Sequence, residues 1–233
     1  MTVSTFILAI IAGVTPSLIW LWFWLHEDKT NPEPKSLIET TFISGILAVI
    51  AAVFAEKYIS EIVSDISIRY TLWAAVEEIF KFVAVAVIAL KSTENDEPID
   101  AMIYCIVVAL GFAAVENTLF IMGPFSSGEI ASGIVTGNMR FIGATLVHIV
   151  CSATVGFAMG YVFYRGYLAK CIALILGLSS AIALHAAFNI SIINSGSANT
   201  LQTFAWVWGA VVILIVLFEE IKAVRQKQII RIK

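Results

Sequence analysis

The sequence predicts an all-α fold, a polytopic transmembrane helical bundle of about seven spans, and three observations carry that prediction. Of its 233 residues 60% are hydrophobic and only 13% charged, about half the charge of an ordinary soluble domain. Mean hydropathy is strongly positive, +0.93. Several apolar runs also exceed the roughly 18 residues that mark a membrane-spanning helix rather than a buried core helix.

Hydrophobic runs and their polar breaks place the spans at about 4–25, 37–56, 70–90, 100–122, 139–163, 169–192 and 201–219, within one integral membrane domain covering 1–233. The first run lacks a basic flank and is too long for the apolar core of a signal peptide, so it is read as a span. The connections leave no room for a soluble domain, and no internal repeat is visible. Residues 57–69 place Ile59, Ile62, Val63 and Ile66 at helical spacing opposite Ser60, Glu61, Ser64 and Asp65. That pattern fits a short interfacial helix or an extension of either neighbouring span. Gly123 to Asn138, with four glycines, reads as a flexible loop. Cys105, Cys151 and Cys171 all lie in apolar runs and read as small buried hydrophobes.

Basic residues set the expected orientation. Lys222, Arg225, Lys227, Arg231 and Lys233 crowd the C-terminal tail, which is therefore placed in the cytoplasm with the N-terminus outside. Lys29, Lys35, Lys91, Arg165 and Lys170 then fall inside, against Lys57, Arg69 and Arg140 outside, a bias of ten to three. Trp20, Trp22 and Trp24 fit an inner aromatic belt, and Trp206 and Trp208 an outer one. A net charge of −3 gives no reason to expect a nucleic-acid partner; the lipid bilayer is the expected surrounding.

Ionisable groups inside spans cost several kcal/mol, so each needs a partner or a function. Span three holds Glu77, Glu78 and Lys81, and span four Glu116 beside Asn117. Span five holds His148, and span six His185 with Asn189. Counted from the outer ends of their spans, the acids and histidines all sit about 10–15 Å deep at 1.5 Å per residue. The helices alternate in direction, so a shared level points to a shared site. Lys81 follows Glu77 by four residues and Glu78 by three, close enough to neutralise part of the pair. Two carboxylates in a desolvated cleft do not both stay ionised easily, which suits one of them to accept a proton. Taken singly, such residues also serve as interhelical hydrogen bonds or ion pairs.

At these residues the chain resembles the PrsW family of intramembrane proteases. The resemblance rests on Glu77-Glu78-Ile79-Phe80-Lys81 (EExxK), Gly111 to Asn117 (GFAAVEN), His148, His185 to Asn189 (HAAFN) and Pro32-Glu33-Pro34. It extends to the related CAAX prenyl endopeptidases, except that Phe112 to Glu116 reads FxxxE where those relatives carry FxxxH. The resemblance implies an intramembrane endopeptidase in which Glu77 or Glu78 activates water, Glu77 being the closer match to the relatives' catalytic glutamate. Glu116 and His148 would position or share that proton, and His185 and Asn189 would stabilise the oxyanion. Alternatively Glu116, His148 and His185 would bind zinc, although no HExxH motif supports this. The implied substrate is a single-span anti-sigma factor, cut near its extracytoplasmic face. A proton-coupled transporter, which usually shows inverted repeats, and a non-catalytic membrane scaffold are the rival expectations.

Overall fold

The computed structural model describes residues 2–27, 31–194 and 200–232, with side chains to 224. The helices are α1 (Val3–Glu27), α2 (Lys35–Ile62), α3 (Ile66–Ile88), α4 (Asp100–Ser126), α5 (Ile130–Met139), α6 (Thr145–Tyr161), α7 (Tyr167–Asn194) and α8 (Thr200–Ile232). A π turn, Arg140–Ala144, joins α5 to α6, so that Ile130–Tyr161 crosses as one rod. The described residues include no strand. The all-α bundle expected from hydropathy is what the chain forms.

Six of the rods are long and apolar enough to cross a bilayer. The remaining one, α3, carries Glu77, Glu78 and Lys81 on its buried face, each 5% exposed or less. Large apolar side chains stand outward on the peripheral helices, among them Phe54, Val87, Ile175 and Val212, all more than half exposed. Contiguous apolar surface of that kind is what hydrocarbon covers. The chain is a multi-pass membrane protein.

The centre is α4, packed against α1, α2 and α6. Asp100 through Ala114 is buried without a break, as a helix apolar on every side requires. Close packing there is bought with glycine: a Cβ on Gly111 would meet the carbonyl of Phe42, and one on Gly45 the carbonyl of Val108. The α2 and α4 backbones therefore touch, the small-residue packing by which membrane helices associate. Gly111→Val is expected to push these helices apart and to destabilise the protein by roughly 1–3 kcal/mol or more. Denaturant titration in detergent would register it, and an unchanged midpoint would contradict the contact.

Of the two sequence readings of 57–69, the extension of the neighbouring spans is the one that forms, whereas the other connections differ from expectation. No separate interfacial helix occupies 57–69: α2 continues to Ile62, and α3 starts at Ile66 once Asp65 Oδ1 accepts from the Ile68 amide at 2.9 Å, an ordinary N-cap. Most of the expected loop 123–138 is helical, divided between the end of α4 and α5. Arg140 consequently stands inside a rod rather than in an outer loop. The aromatic belts are not seen either. Trp20 meets Trp208 with ring centroids 6.2 Å apart, Trp24 packs on Phe218 and Trp206 on Phe188. These rings fill helix junctions, and among them Trp22, 66% exposed, faces outward most. Of the cations that set the expected orientation, Lys29 and Lys233 lie outside the described residues, as do the side chains of Arg225, Lys227 and Arg231.

The Pro32-Glu33-Pro34 segment is tied down at the N-terminal end of α4. Tyr104 donates to Glu33, and Asn31 Nδ2 donates to Glu97 Oε1 at 2.5 Å. Asp100 Oδ2 accepts from the amides of Asp96 and Glu97. This network lies at the opposite end of α4 from Glu116.

Candidate active site

Four helices deliver the intramembrane polar residues to one place. Glu77 and Glu78 are adjacent on α3, so their side chains diverge by about 100°. Glu78 turns inward, where Oε1 accepts from Lys81 Nζ at 2.5 Å and from His185 Nδ1 at 2.8 Å. Its Oε2 takes Ser152 Oγ at 3.4 Å. Glu78 is thus saturated. Glu77 turns the other way, into a cavity of about 470 Å³ whose wall also includes Glu116, Arg140, His148, His185 and Asn189. Glu77 Oε2 is buried with no hydrogen-bond partner, 3.8 Å from His185 Nε2 and 3.9 Å from His148 Nδ1.

Hydrogen-bond chemistry fixes what each imidazole presents. Lys81 at 2.9 Å from His148 Nδ1 is a donor only, so that nitrogen accepts. His148 Nε2 then carries the proton and donates to Glu116 Oε2 at 2.6 Å. His185 Nδ1 donates to Glu78, leaving Nε2 with its lone pair toward Glu77. The two rings stand edge to face, centroids 5.0 Å apart. The His185 lone pair and the orphaned carboxylate oxygen therefore face one small volume, with His148 Nδ1 at its edge, where it accepts from Lys81.

That arrangement suits a metal. Glu77, His148 and His185 each offer a ligand atom, all within 4.8 Å of one another, and zinc takes nitrogen and oxygen donors at about 2.0–2.2 Å. Each histidine is backed at its other nitrogen by a carboxylate, Glu116 or Glu78, the usual outer support of a metal-bound imidazole. The unpartnered Glu77 oxygen is the gap a cation would fill. The acid in this compact set is Glu77, whereas the sequence pointed to Glu116. Glu116 is engaged by the proton of His148 and by Arg140, whose Nη2 lies 2.7 Å from the same oxygen. A second compact set, Glu78 with Cys151 and His185, is filled by the Lys81 ammonium on Glu78.

The remaining expected residues divide. Asn189 lines the cavity. Lys81 and Asn117 do not; both are at most 1% exposed. Asn117 Nδ2 donates to Thr145 Oγ1 at 2.9 Å, and its Oδ1 accepts from Arg140 Nε at 2.6 Å. Three participants were not read from the sequence. Ser152 lies one turn beyond His148, a spacing that pointed to it. Glu56 reaches the cavity from α2 but sat at an expected span end. Arg140 was counted as a loop cation.

Away from the polar residues the cavity wall is apolar and aromatic. It includes Val49 and Val53 of α2, Tyr70 and Trp73 of α3, Leu119 and Phe120 of α4, and Ile192 and Ile193 of α7. Trp73 Nε1 donates to the Glu56 carbonyl at 3.1 Å and pins α3 to α2 at this end. The space extends from the histidines toward the end of the bundle where α2 turns into α3.

Comparisons with known proteins identify the family. The chain is 29% identical over 152 residues to a protein named "Protease PrsW" from Geobacillus kaustophilus (strain HTA426), covering 64% of each chain. It is 26% identical over 158 residues to one of the same name from Bacillus subtilis (strain 168), covering 66% of each. A third, from Shouchella clausii (strain KSM-K16), is 24% identical over 190 residues, covering 80% of this chain and 84% of that one. The chain thus spans just under two thirds of the length of the first two relatives. No solved structure matches it. The family described as PrsW family intramembrane metalloproteases matches over residues 33–219, a stretch that contains every polar residue of the cavity, and the chain belongs to that family.

Proposed function

We propose that this protein is an intramembrane endopeptidase that hydrolyses a peptide bond of a single-span membrane protein at the Glu77–His148–His185 centre. One observation carries the proposal: Glu77 presents an unpartnered carboxylate oxygen beside the His185 and His148 imidazoles inside a cavity large enough for a segment of extended peptide. Catalytic groups held before a space for substrate are what hydrolysis needs. An orphaned buried acceptor costs free energy, and at Glu77, unlike the buried Asp100 Oδ1 at the other end of α4, the orphaned oxygen stands at the wall of a large cavity.

Glu77, His148 and His185 would hold a zinc ion, which when bound supplies a polarised water and a Lewis acid for the carbonyl. Glu78 and Glu116 hold the two rings in orientation. Glu116, 19% exposed on the cavity side, is then the carboxylate positioned to take the proton of the attacking water and pass it to the leaving amine. Asn189 lies one helical turn from His185 and faces the same cavity, where its amide N–H would donate to the developing oxyanion. A metal-free variant has one contact in its favour, Lys81 Nζ on His148 Nδ1. In that variant Lys81 holds His148 and Glu77 itself takes the water proton. Elemental analysis separates the two. About one zinc per chain, lost together with cleavage on chelation, is the expected result. Full activity in metal-free protein would establish the second.

The end of the cavity where α2 turns into α3 is the side placed outside by the basic residues. Cleavage near the extracytoplasmic face, with the N-terminus outside and the C-terminus cytoplasmic, follows from that orientation. A single-span anti-sigma factor is the substrate class proposed. The test is incubation of purified protein in proteoliposomes with a set of single-span anti-sigma factors, mapping the product ends. Cuts within or just outside the outer half of the span support the proposal. Intact substrates together with ion-dependent solute flux would transfer it to a transporter.

A further inference from the structure

We infer that Arg140 is a positioning residue, which acts through Glu116 to hold the His148 ring in the orientation the centre requires. The inference rests on the site proposed above but concerns a residue outside its motifs. Arg140 opens the π turn between α5 and α6 and grips one turn of α4 at three points. Its Nη2 forms an ion pair with Glu116 Oε2 at 2.7 Å, off the line of a true hydrogen bond. Its Nε donates to Asn117 Oδ1 at 2.6 Å. The guanidinium carbon stands 4.1 Å above the centre of the Phe120 ring, a cation–π distance. Planarity lets one arginine make all three contacts, which a lysine ammonium cannot do.

The same carboxylate oxygen, Glu116 Oε2, receives His148 Nε2 at 2.6 Å. A carboxylate accepts only, so by anchoring this oxygen Arg140 fixes the point toward which the Nε2–H of His148 is aimed, while Lys81 keeps Nδ1 an acceptor. Asn117 strengthens the hold: Arg140 Nε, a donor only, takes its carbonyl, and its NH₂ is accepted on the far side by Thr145 Oγ1.

The π turn makes this geometry possible. In an uninterrupted α-helix, about 100° per residue would leave Arg140 and His148 roughly 80° apart around the axis. One turn widened to i→i+5 bonding removes close to one residue of rotation and brings both onto the face of α4 that carries Glu116. π turns of this kind recur at functional sites. Gly143 lies within this one, where a Cβ would strike the Phe204 ring of α8.

The chain has only three histidines, so selective ¹⁵N-histidine labelling in detergent resolves the imidazole nitrogens of His148 and His185 individually. The wild type is expected to show His148 protonated at Nε2 and His185 at Nδ1. Arg140→Gln should lose or broaden the His148 pattern and leave His185, held by Glu78, unchanged; a general loosening of the fold would disturb both. An unaltered His148 pattern in folded Arg140→Gln overturns the inference. Should that variant not fold, Arg140→Lys decides, because it keeps the charge but lacks the second donor to Asn117. A broadened or split His148 signal supports the inference and a wild-type signal overturns it. None of these readouts needs a cleaved substrate, so they stand apart from the test of peptidase activity.

Discussion

Glu77→Gln is expected to give a folded protein that has lost about three orders of magnitude of peptidase activity, whether Glu77 is a metal ligand or, without a metal, the base, whose chemistry contributes roughly 10²–10⁴-fold. The substitution preserves volume and exchanges an unpartnered carboxylate oxygen for an amide. No hydrogen bond of the native fold is broken at Oε2, since that atom makes none. Stability should therefore stay near wild type. The chemistry should not: an amide neither takes a proton at neutral pH nor ligates a cation well. Thermal unfolding in detergent and cleavage of a single-span substrate, measured on the same preparation, give the two halves of the result. Wild-type cleavage by the variant would remove Glu77 from the centre, whichever account of the metal is right.

Seven spans were legible because composition and run length report directly on the phase that surrounds the helices. Convergence of Glu77, Glu78, Glu116, His148 and His185 was legible as a common depth, since charges that deep must meet one another or water. The level was approximate, as the rod carrying His148 begins at Ile130 rather than near 139. Depth is one coordinate, however, and says nothing of which way a side chain turns. The difference between Glu77 and Glu78, one open and one saturated, depends on rotation about α3 and on where α6 and α7 stand. Arg140 escaped for a related reason. Gly123, Gly128, Gly133 and Gly137 dilute hydropathy and imitate a loop, whereas one of them packs tightly: a Cβ on Gly133 would strike the Phe125 ring. The belt tryptophans misled in the opposite direction. An indole fills a helix junction as readily as an interface, and composition does not separate the two uses.

The rival expectations can be weighed on the same residues. A scaffold needs interhelical polar bonds but gains nothing from an acid left unpaired at a cavity wall. Glu78, Lys81 and Asn117 do behave as a scaffold would have them, fully buried and fully engaged. Glu77 does not. The polar set therefore has two parts, one that holds α3, α6 and α7 together and one that faces the space where a substrate would lie.

Glu78→Ala separates those parts by failing in the opposite way from Glu77→Gln, through loss of the fold. Glu78 is the hub of the buried set, with Lys81, His185 and Ser152 all bonded to it. Its removal leaves the Lys81 ammonium, 1% exposed, with no bonded carboxylate, only the neutral His148 Nδ1 at 2.9 Å and the Phe112 ring at 4.9 Å. Breaking a buried pair by deleting one partner typically costs about 3–5 kcal/mol, because the surviving charge is left uncompensated. The cavity vacated by the side chain adds to that cost. A drop of this size is a large fraction of the stability of most proteins, so the variant should unfold well below the wild-type midpoint or fail to accumulate. Replacing Lys81 by Met in the same chain supplies the control. Removing both charges leaves no stranded ion, and removing a whole buried pair is often close to neutral, so Glu78→Ala/Lys81→Met should recover much of the lost stability. It should not recover cleavage, since His185 would still lack the acceptor that holds its Nδ1 proton. Recovery of both would mean that Glu78 serves only to neutralise Lys81. Recovery of neither would mean that the cavity, rather than the charge, dominates the loss.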